Sequence, residues 1–231
     1  MNRLVSIFVA AVLAVGATIS VAQVGPGPGM VPLPISAGAL AFSTWNPSDK
    51  QAQATLSNGN LTAAATASSP YSITFARAIT GRTSGKYYWE VKYDSGNATV
   101  VAMVGVCNGS ASLSTYPGGD ANGWGWYAYD GQLYTNNAAV LSLGTYAIGD
   151  TIDVAIDLAT NKMWLGKNGT WANSGNPAAG TGQVTSSLSG TIYPCVGVQS
   201  GIARAVQWTA DFGATAFTNT VPSGFTAGWP R

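Results

Sequence analysis

Past residue 38 the chain alternates hydrophobic and polar positions with a period of two. Within Ser84–Asp94, Trp89, Val91 and Tyr93 alternate with Glu90, Lys92 and Asp94, as in a strand with one buried face. Ile152, Val154, Ile156 and Leu158 repeat the pattern and turn Asp153 and Asp157 outward. Thr99–Cys107 is a continuous apolar run, which suits a strand covered on both faces. Gly123–Tyr129 alternates glycine with aromatic residues, and Asp130-Gly131 turns it into Gln132–Tyr134, a short-range hairpin signal. Ser57-Asn58-Gly59 joins Ala54–Leu56 to Asn60–Thr62 in the same way. Leu40–Trp45, Tyr71–Ala76, Met163–Gly166, Ile192–Val198 and Ala205–Phe212 complete the predicted strands, with a turn at Asn46–Asp49. No helical periodicity of useful length follows the first 22 residues. The pattern therefore predicts an all-β fold, a two-sheet antiparallel sandwich over residues 39–231.

The N-terminus follows a different pattern. Asn2-Arg3 precedes an apolar run from Leu4 to Ala17, and small residues follow at Ser20 and Ala22. This is the layout of a secretory signal peptide over residues 1–22, cleaved after Ala22. The alternative is an uncleaved anchor, since Leu4–Ala22 nearly reaches the ~20 residues that span a bilayer. Residues 23–38 contain Gly-Pro-Gly-Pro-Gly and further prolines, a composition for a linker or exposed arm. The expectation is a secreted, periplasmic or cell-surface protein that meets a membrane only through an uncleaved leader.

Composition narrows the chemistry. Charged residues make up 8% of the chain, against roughly 25% in typical globular domains. The net charge of +1 is dispersed, leaving no basic footprint for nucleic acid. There is no histidine, which removes Ser-His and Cys-His nucleophiles and most zinc sites. Glu90 is the sole glutamate beside eight aspartates. Asp153 and Asp157 face the same way about 13 Å apart along one strand. No pair presents itself for glycoside hydrolysis, which needs two carboxylates across one cleft. Asp94-Ser95-Gly96-Asn97 reads as a solvated turn rather than a calcium loop. No enzyme activity, metal or cofactor is expected. Cys107 and Cys195 lie in strand segments and could either form a disulfide or remain two buried thiols.

Several short motifs recur in a fixed order. Tyr87-Tyr88-Trp89-Glu90-Val91 is followed by Val104-Gly105-Val106-Cys107, Gly123-Trp124-Gly125-Trp126 and Asp130-Gly131-Gln132-Leu133-Tyr134. Gly149-Asp150, Lys167-Asn168-Gly169, Tyr193-Pro194 and Asp211-Phe212-Gly213 continue the series. Together they resemble SPRY domains, β-sandwiches of concanavalin A-like architecture. The front segment, Trp45-Asn46-Pro47 through Leu61-Thr62, is similar to SPRY-containing proteins of bacteria and their phages. Met163-Trp164-Leu165 departs from the family's Phe-Tyr pair and leaves the face of that strand open. The resemblance implies a non-enzymatic module that grips a protein or peptide segment with loops at one edge. By position it points to the Asn108–Gly123 loop, with Tyr116 as its one large aromatic, and to Gln199, Ser200 and Gly201. The alternative is a glycan-binding or structural component of a phage particle or surface assembly, hence virion-associated. Trp171, following Asn168-Gly169, is the tryptophan best placed to be exposed to a glycan.

Overall fold

The alternation seen in the sequence resolves into two sheets that share one core. The computed structural model describes residues 41–65, 74–96, 102–198 and 205–231. The leader, the arm and the ligand-binding candidates Gln199, Ser200 and Gly201 lie outside these. In chain order the strands are β1 Trp45–Lys50, β2 Ala54–Ser57, β3 Thr62–Ala65, β4 Thr74–Ala78 and β5 Lys86–Ser95. Then come β6 Ala102–Asn108, β7 Gly123–Tyr127, β8 Gln132–Thr135, β9 Ala138–Ser142 and β10 Thr151–Asp157. The last five are β11 Lys162–Lys167, β12 Thr170–Trp171, β13 Ile192–Val198, β14 Val206–Asp211 and β15 Thr226–Ala227. One sheet runs β1-β4-β13-β6-β7-β8-β9 and the other β12-β11-β10-β5-β14-β3-β2, with β15 added in parallel to β5. All other pairings are antiparallel, as expected for the sandwich.

Between the sheets lie Trp89, Val91, Val104, Val106, Trp126, Ile152, Val154, Ile156 and Trp208, all buried. Each fully buried side chain of this size contributes about 1.5–3 kcal/mol. Trp89 meets Trp229 edge-to-face at 5.1 Å, and Trp45 meets Phe212 at the same distance. The open question at β11 is resolved by the pleat: Met163 and Leu165 enter this core, while Trp164 points to the outer face.

The β7–β8 hairpin forms as predicted, with Asp130 Oδ1 accepting the Gln132 N–H at 2.9 Å. The β2–β3 hairpin also forms, but β3 starts two residues late. Asn58, Gly59 and Asn60 all have positive φ (52°, 62° and 65°), so the left-handed turn consumes residues assigned to the strand. Asn46–Asp49 does not end a strand. It bulges within β1, which pairs with β4 only at Trp45↔Ala78 and Lys50↔Ala76. β9 was not predicted, because Ala138, Ala139 and Val140 are exposed and give no alternation.

Both outer faces are covered by irregular chain, which the alternation did not foretell. Asp153 and Asp157 do point away from the core, yet they are only 1% and 5% exposed. Phe217, Val221 and Phe225 of the C-terminal segment pack with Tyr88, Ala155 and Trp164 over that face. On the other sheet Cys107 and Cys195 are buried with Phe75 and Ala111 as free thiols. Cys107 faces Tyr193 and Cys195 faces Gly105 across β6 and β13. This makes the cysteines diagonal neighbours, about 7–8 Å apart at Cα in an antiparallel sheet. A disulfide spans only about 4.4–6.8 Å, so this register disfavours a bridge, and the two thiols meet as hydrogen-bonded neighbours. Burial pushes the Cys195 thiol up, with Cys107 adding to the shift.

Candidate functional site

The first candidate site lies on the seven-stranded sheet. Asn108–Gly123 leaves one end of β6 and returns across the sheet's outer face. Gly125 and Gly197 make this possible. A Cβ at Gly125 would lie 2.1 Å from the Pro117 carbonyl oxygen, and one at Gly197 would lie 2.4 Å from Pro117 Cδ. The glycines that alternate with Trp124 and Trp126 are thus the footprint of the returning loop. Tyr116 is carried onto Met103 and Tyr127 and is only 7% exposed, its hydroxyl bonded to the Asn137 side chain. It packs its own loop and is not the exposed aromatic expected from the sequence.

The exposed aromatic is Tyr129, at 59%. It follows β7, beside Tyr127 at a ring separation of 6.0 Å, and Tyr127 in turn meets Tyr134 at 5.9 Å. Tyr134 donates its hydroxyl proton to Asp130 at 2.7 Å. That bond, then burial, pushes Tyr134 up to about 12, and burial followed by the Asp130 charge does the same for Tyr127. Both phenols keep their protons across the physiological range. Ala128 donates to the Ala102 carbonyl, and Ala102 pairs with Val198, where β13 ends. The Tyr129 turn therefore shares a sheet end with the residue that precedes Gln199. The sequence hides this aromatic because Tyr129 reads as part of the strand Gly123–Tyr129.

The second candidate site lies on the outer face of the other sheet. Antiparallel register sets Glu90 directly opposite Asp153, a carboxyl pair that the sequence reading did not find. One hydroxyl, that of Tyr88, lies 2.7 Å from an oxygen of each. Glu90 also accepts the backbone N–H groups of Thr218 and Asn219 at 2.9 and 2.7 Å. Asp153 accepts the Gly169 N–H at 2.8 Å and the Asn219 side-chain amide at 2.9 Å. A phenol has one proton and satisfies one carboxylate at a time. Both 2.7 Å contacts are favourable only when a carboxyl of the pair carries a proton too. Asp153 is the candidate, since burial raises it against the hydrogen bonds of Tyr88, Gly169 and Asn219 that lower it. Every carboxylate oxygen here is engaged, which marks the pair as a clasp for residues 218–219 and not as general acid and nucleophile.

Beside the clasp opens a cavity of about 530 Å³. Its wall includes Asp153, Trp171, Asn176, Thr218, Asn219 and Ser223. Trp171 sits on β12, partly exposed, with Tyr88 edge-on at 6.3 Å. Tyr116 and Trp171, the two aromatic candidates from the sequence, are thus on opposite sheets and do not form one site. Among the described residues no three His, Cys, Asp or Glu side chains gather to hold a metal ion.

The chain as a whole is similar to known proteins. Ran-binding protein 9 of Xenopus tropicalis is 27% identical over 163 residues, covering 68% of this chain and 28% of that protein. Ran-binding protein 10 of Danio rerio is 25% identical over 169 residues, with 68% and 25% covered. The chain therefore spans about a quarter of the length of these relatives. The crystal structure of the SPRY domain of human HERC1 superposes with a TM-score of 0.62 at 22% identity, covering 74% of this chain and 99% of that one. That likeness confirms the sandwich. A family model for the SPRY domain matches residues 86–209, from the start of β5 into β14. SPRY domains are protein-interaction modules and generally non-catalytic. With more than half of its residues inside that match, the chain belongs to the SPRY domain family.

Proposed function

We propose that the protein is a non-enzymatic module, exported or displayed at a surface, that recognises a protein or peptide segment through the Tyr129 end of its seven-stranded sheet. The exposure of Tyr129 beside the protonated Tyr127 and Tyr134 carries this reading. A tyrosine offers apolar area and a hydroxyl at low ordering cost, which is why it recurs at hot spots. Gln199, Ser200 and Gly201, which come next in the chain after Val198, are included in the proposed contact set. The apolar leader supports export, and the motifs of the front segment support a bacterial or phage source.

The test starts from the native source. Protein beginning at Gln23 captures its partner there, mass spectrometry identifies it, and purified partner is titrated against Tyr129→Ala. Loss of at least about tenfold in affinity is expected, the size of a hot-spot truncation. Unchanged affinity in both Tyr129→Ala and Ser200→Ala would place the contact elsewhere. Exported protein that still begins at Met1 would remove the cleaved leader. A particle-building role is less well supported: the free edge β9 is blunted by a bulge at Val140, between the pairs Leu133↔Leu141 and Tyr134↔Ala139.

A further inference from the structure

We propose that the cavity beside Trp171 is a second, independent ligand site, and that it takes a neutral saccharide. Its volume of about 530 Å³ falls within the roughly 300–1,000 Å³ of small-molecule sites. Its walls combine an indole and prolines with hydroxyl and amide groups. Trp171, Pro177 and Pro222 supply apolar surface, and Thr218, Thr220 and Ser223 supply hydroxyls.

The polar groups are available. Within the described residues the hydroxyls of Thr218, Thr220 and Ser223 make no hydrogen bond, and neither does the Trp171 indole N–H. Asn219 spends its amide N–H on Asp153 and leaves its carbonyl oxygen free; that oxygen lies 3.2 Å from where a Cβ on Gly169 would stand. Asn176 likewise uses its carbonyl oxygen on the Ala179 N–H and keeps its amide group. Hydroxyls that both donate and accept, flanked by one amide acceptor and one amide donor, match a ligand whose own groups do both.

Charge decides between ligand classes. No lysine or arginine lines the cavity, so nothing there compensates a phosphate, sulfate or sialic acid. Asp153 is the one ionisable lining residue. Its oxygens are already engaged by Tyr88, Gly169 and Asn219. A cationic ligand would find this carboxyl saturated. A neutral ring can lay its C–H face on Trp171 and direct its hydroxyls to Thr218, Thr220, Ser223 and Asn219. The Asp153–Asn219 bond holds that amide in position beforehand, which lowers the ordering cost of binding.

Isothermal titration of the whole protein with maltose, cellobiose, lactose and N,N′-diacetylchitobiose tests the proposal, with sialyllactose and chitosan disaccharide as charged comparators. The expected result is binding of at least one neutral disaccharide and of neither comparator. Trp171→Ala should weaken that binding by at least about tenfold, as for a truncated aromatic anchor. Because Trp171 also supports Tyr88, the exposed Ser223→Trp, which fills the cavity from its rim, gives the same reading without touching the clasp. Tyr129→Ala should leave disaccharide binding unchanged, separating this site from the protein-binding edge. No binding of any neutral disaccharide at millimolar concentration would overturn the proposal. So would preference for a comparator, or binding unaltered in both Trp171→Ala and Ser223→Trp.

Discussion

The two sheets cover their outer faces by the same means with opposite charge. On the seven-stranded sheet, buried Arg77 donates to the carbonyls of Asn108 and Ala111 at 3.0 and 3.3 Å and forks onto Asp49 at 2.9 and 2.8 Å. On the eight-stranded sheet, Glu90 and Asp153 accept N–H groups of Thr218, Asn219 and Gly169. A guanidinium, all donor, grips the oxygens of one passing loop; carboxylates grip the nitrogens of the other. The consequences differ in two ways. Pro117 lies flat on Gly125 and Gly197, so the first cover is tight, whereas the second is clasped at residues 218–219 and leaves a cavity. Arginine also never gives up its charge, while a carboxyl pair can hold a proton. A fold can thus close one face permanently and keep a titratable clasp and a cavity on the other.

Removing Arg77 should have the largest effect on this contrast. Arg77→Ala strands Asp49 and the Ala111 carbonyl, and leaves the Asn108 carbonyl with the Ala111 N–H. Loss of one partner of a buried ion pair costs about 3–5 kcal/mol, and the 34% exposure of the Asp49 side chain places this case in the lower part of that range. Urea denaturation should show the loss, together with proteolysis between residues 108 and 123. Arg77→Lys should rescue little, since one ammonium cannot reproduce the fork. Full stability in Arg77→Lys would mean that charge alone, and not the planar geometry, secures that loop.

Glu90→Gln comes next. The substituted amide must turn an NH₂ toward one of the Thr218 and Asn219 N–H groups, donor against donor. A lost hydrogen bond to a charged group costs about 1.5–3 kcal/mol. Hydrogen exchange should accelerate at the amides of residues 218 and 219 before any change in the inter-sheet core. Exchange that rises equally everywhere would show that the clasp is not a local device.

The core was legible in the sequence, because a half-buried strand writes its inner face with period two. Trp89, Val91, Ile152, Val154 and Ile156 were assigned correctly for that reason. The clasp was not legible. Glu90 and Asp153 are far apart in the chain, and only the β5–β10 register places them face to face. Period two identified Asp153 as outward, but outward meant solvent only if nothing covered the sheet, and residues 217–225 carry no alternation to announce that they do. Tyr116 misleads for a related reason: the resemblance points to its loop by position, and position alone does not say that the loop folds back over the sheet. The signal that could have corrected it was present in Gly123 and Gly125, whose missing side chains marked the face on which that loop would lie. Arg77 and Asp49 are not legible because Asn46–Asp49 reads as a turn, a role that explains the aspartate without a partner.

Asp153→Asn should be the mildest of the three and the most informative. If Asp153 carries the clasp's second proton, an asparagine amide donates to the Tyr88 oxygen in its place and keeps the Gly169 bond. The Asn219 amide, which donates to that same Asp153 oxygen, must turn its own carbonyl oxygen toward the new N–H, so the cost at neutral pH should stay at about 1 kcal/mol. The pH dependence has a fixed sign. Asp153 is raised from 3.8, chiefly by burial, so the folded state binds its proton more tightly than the unfolded chain. That contribution is fully present below pH 3.8 and is lost as pH rises through the raised value. Asparagine has no such loss, so the stability of Asp153→Asn relative to wild type should improve from acid toward neutral pH. Asp157 acts in the opposite sense. Burial raises it, but Lys86 at 3.2 Å, Thr160 and the Ala159 N–H outweigh burial and lower it. Its stabilisation is therefore lost in acid, equally in both proteins, and cancels in the difference. Urea titrations of the pair from pH 3 to 8 measure the slope. A cost as large as that of Glu90→Gln at every pH would mean that both carboxyls are charged, and that the clasp on this face is as permanent as the arginine on the other.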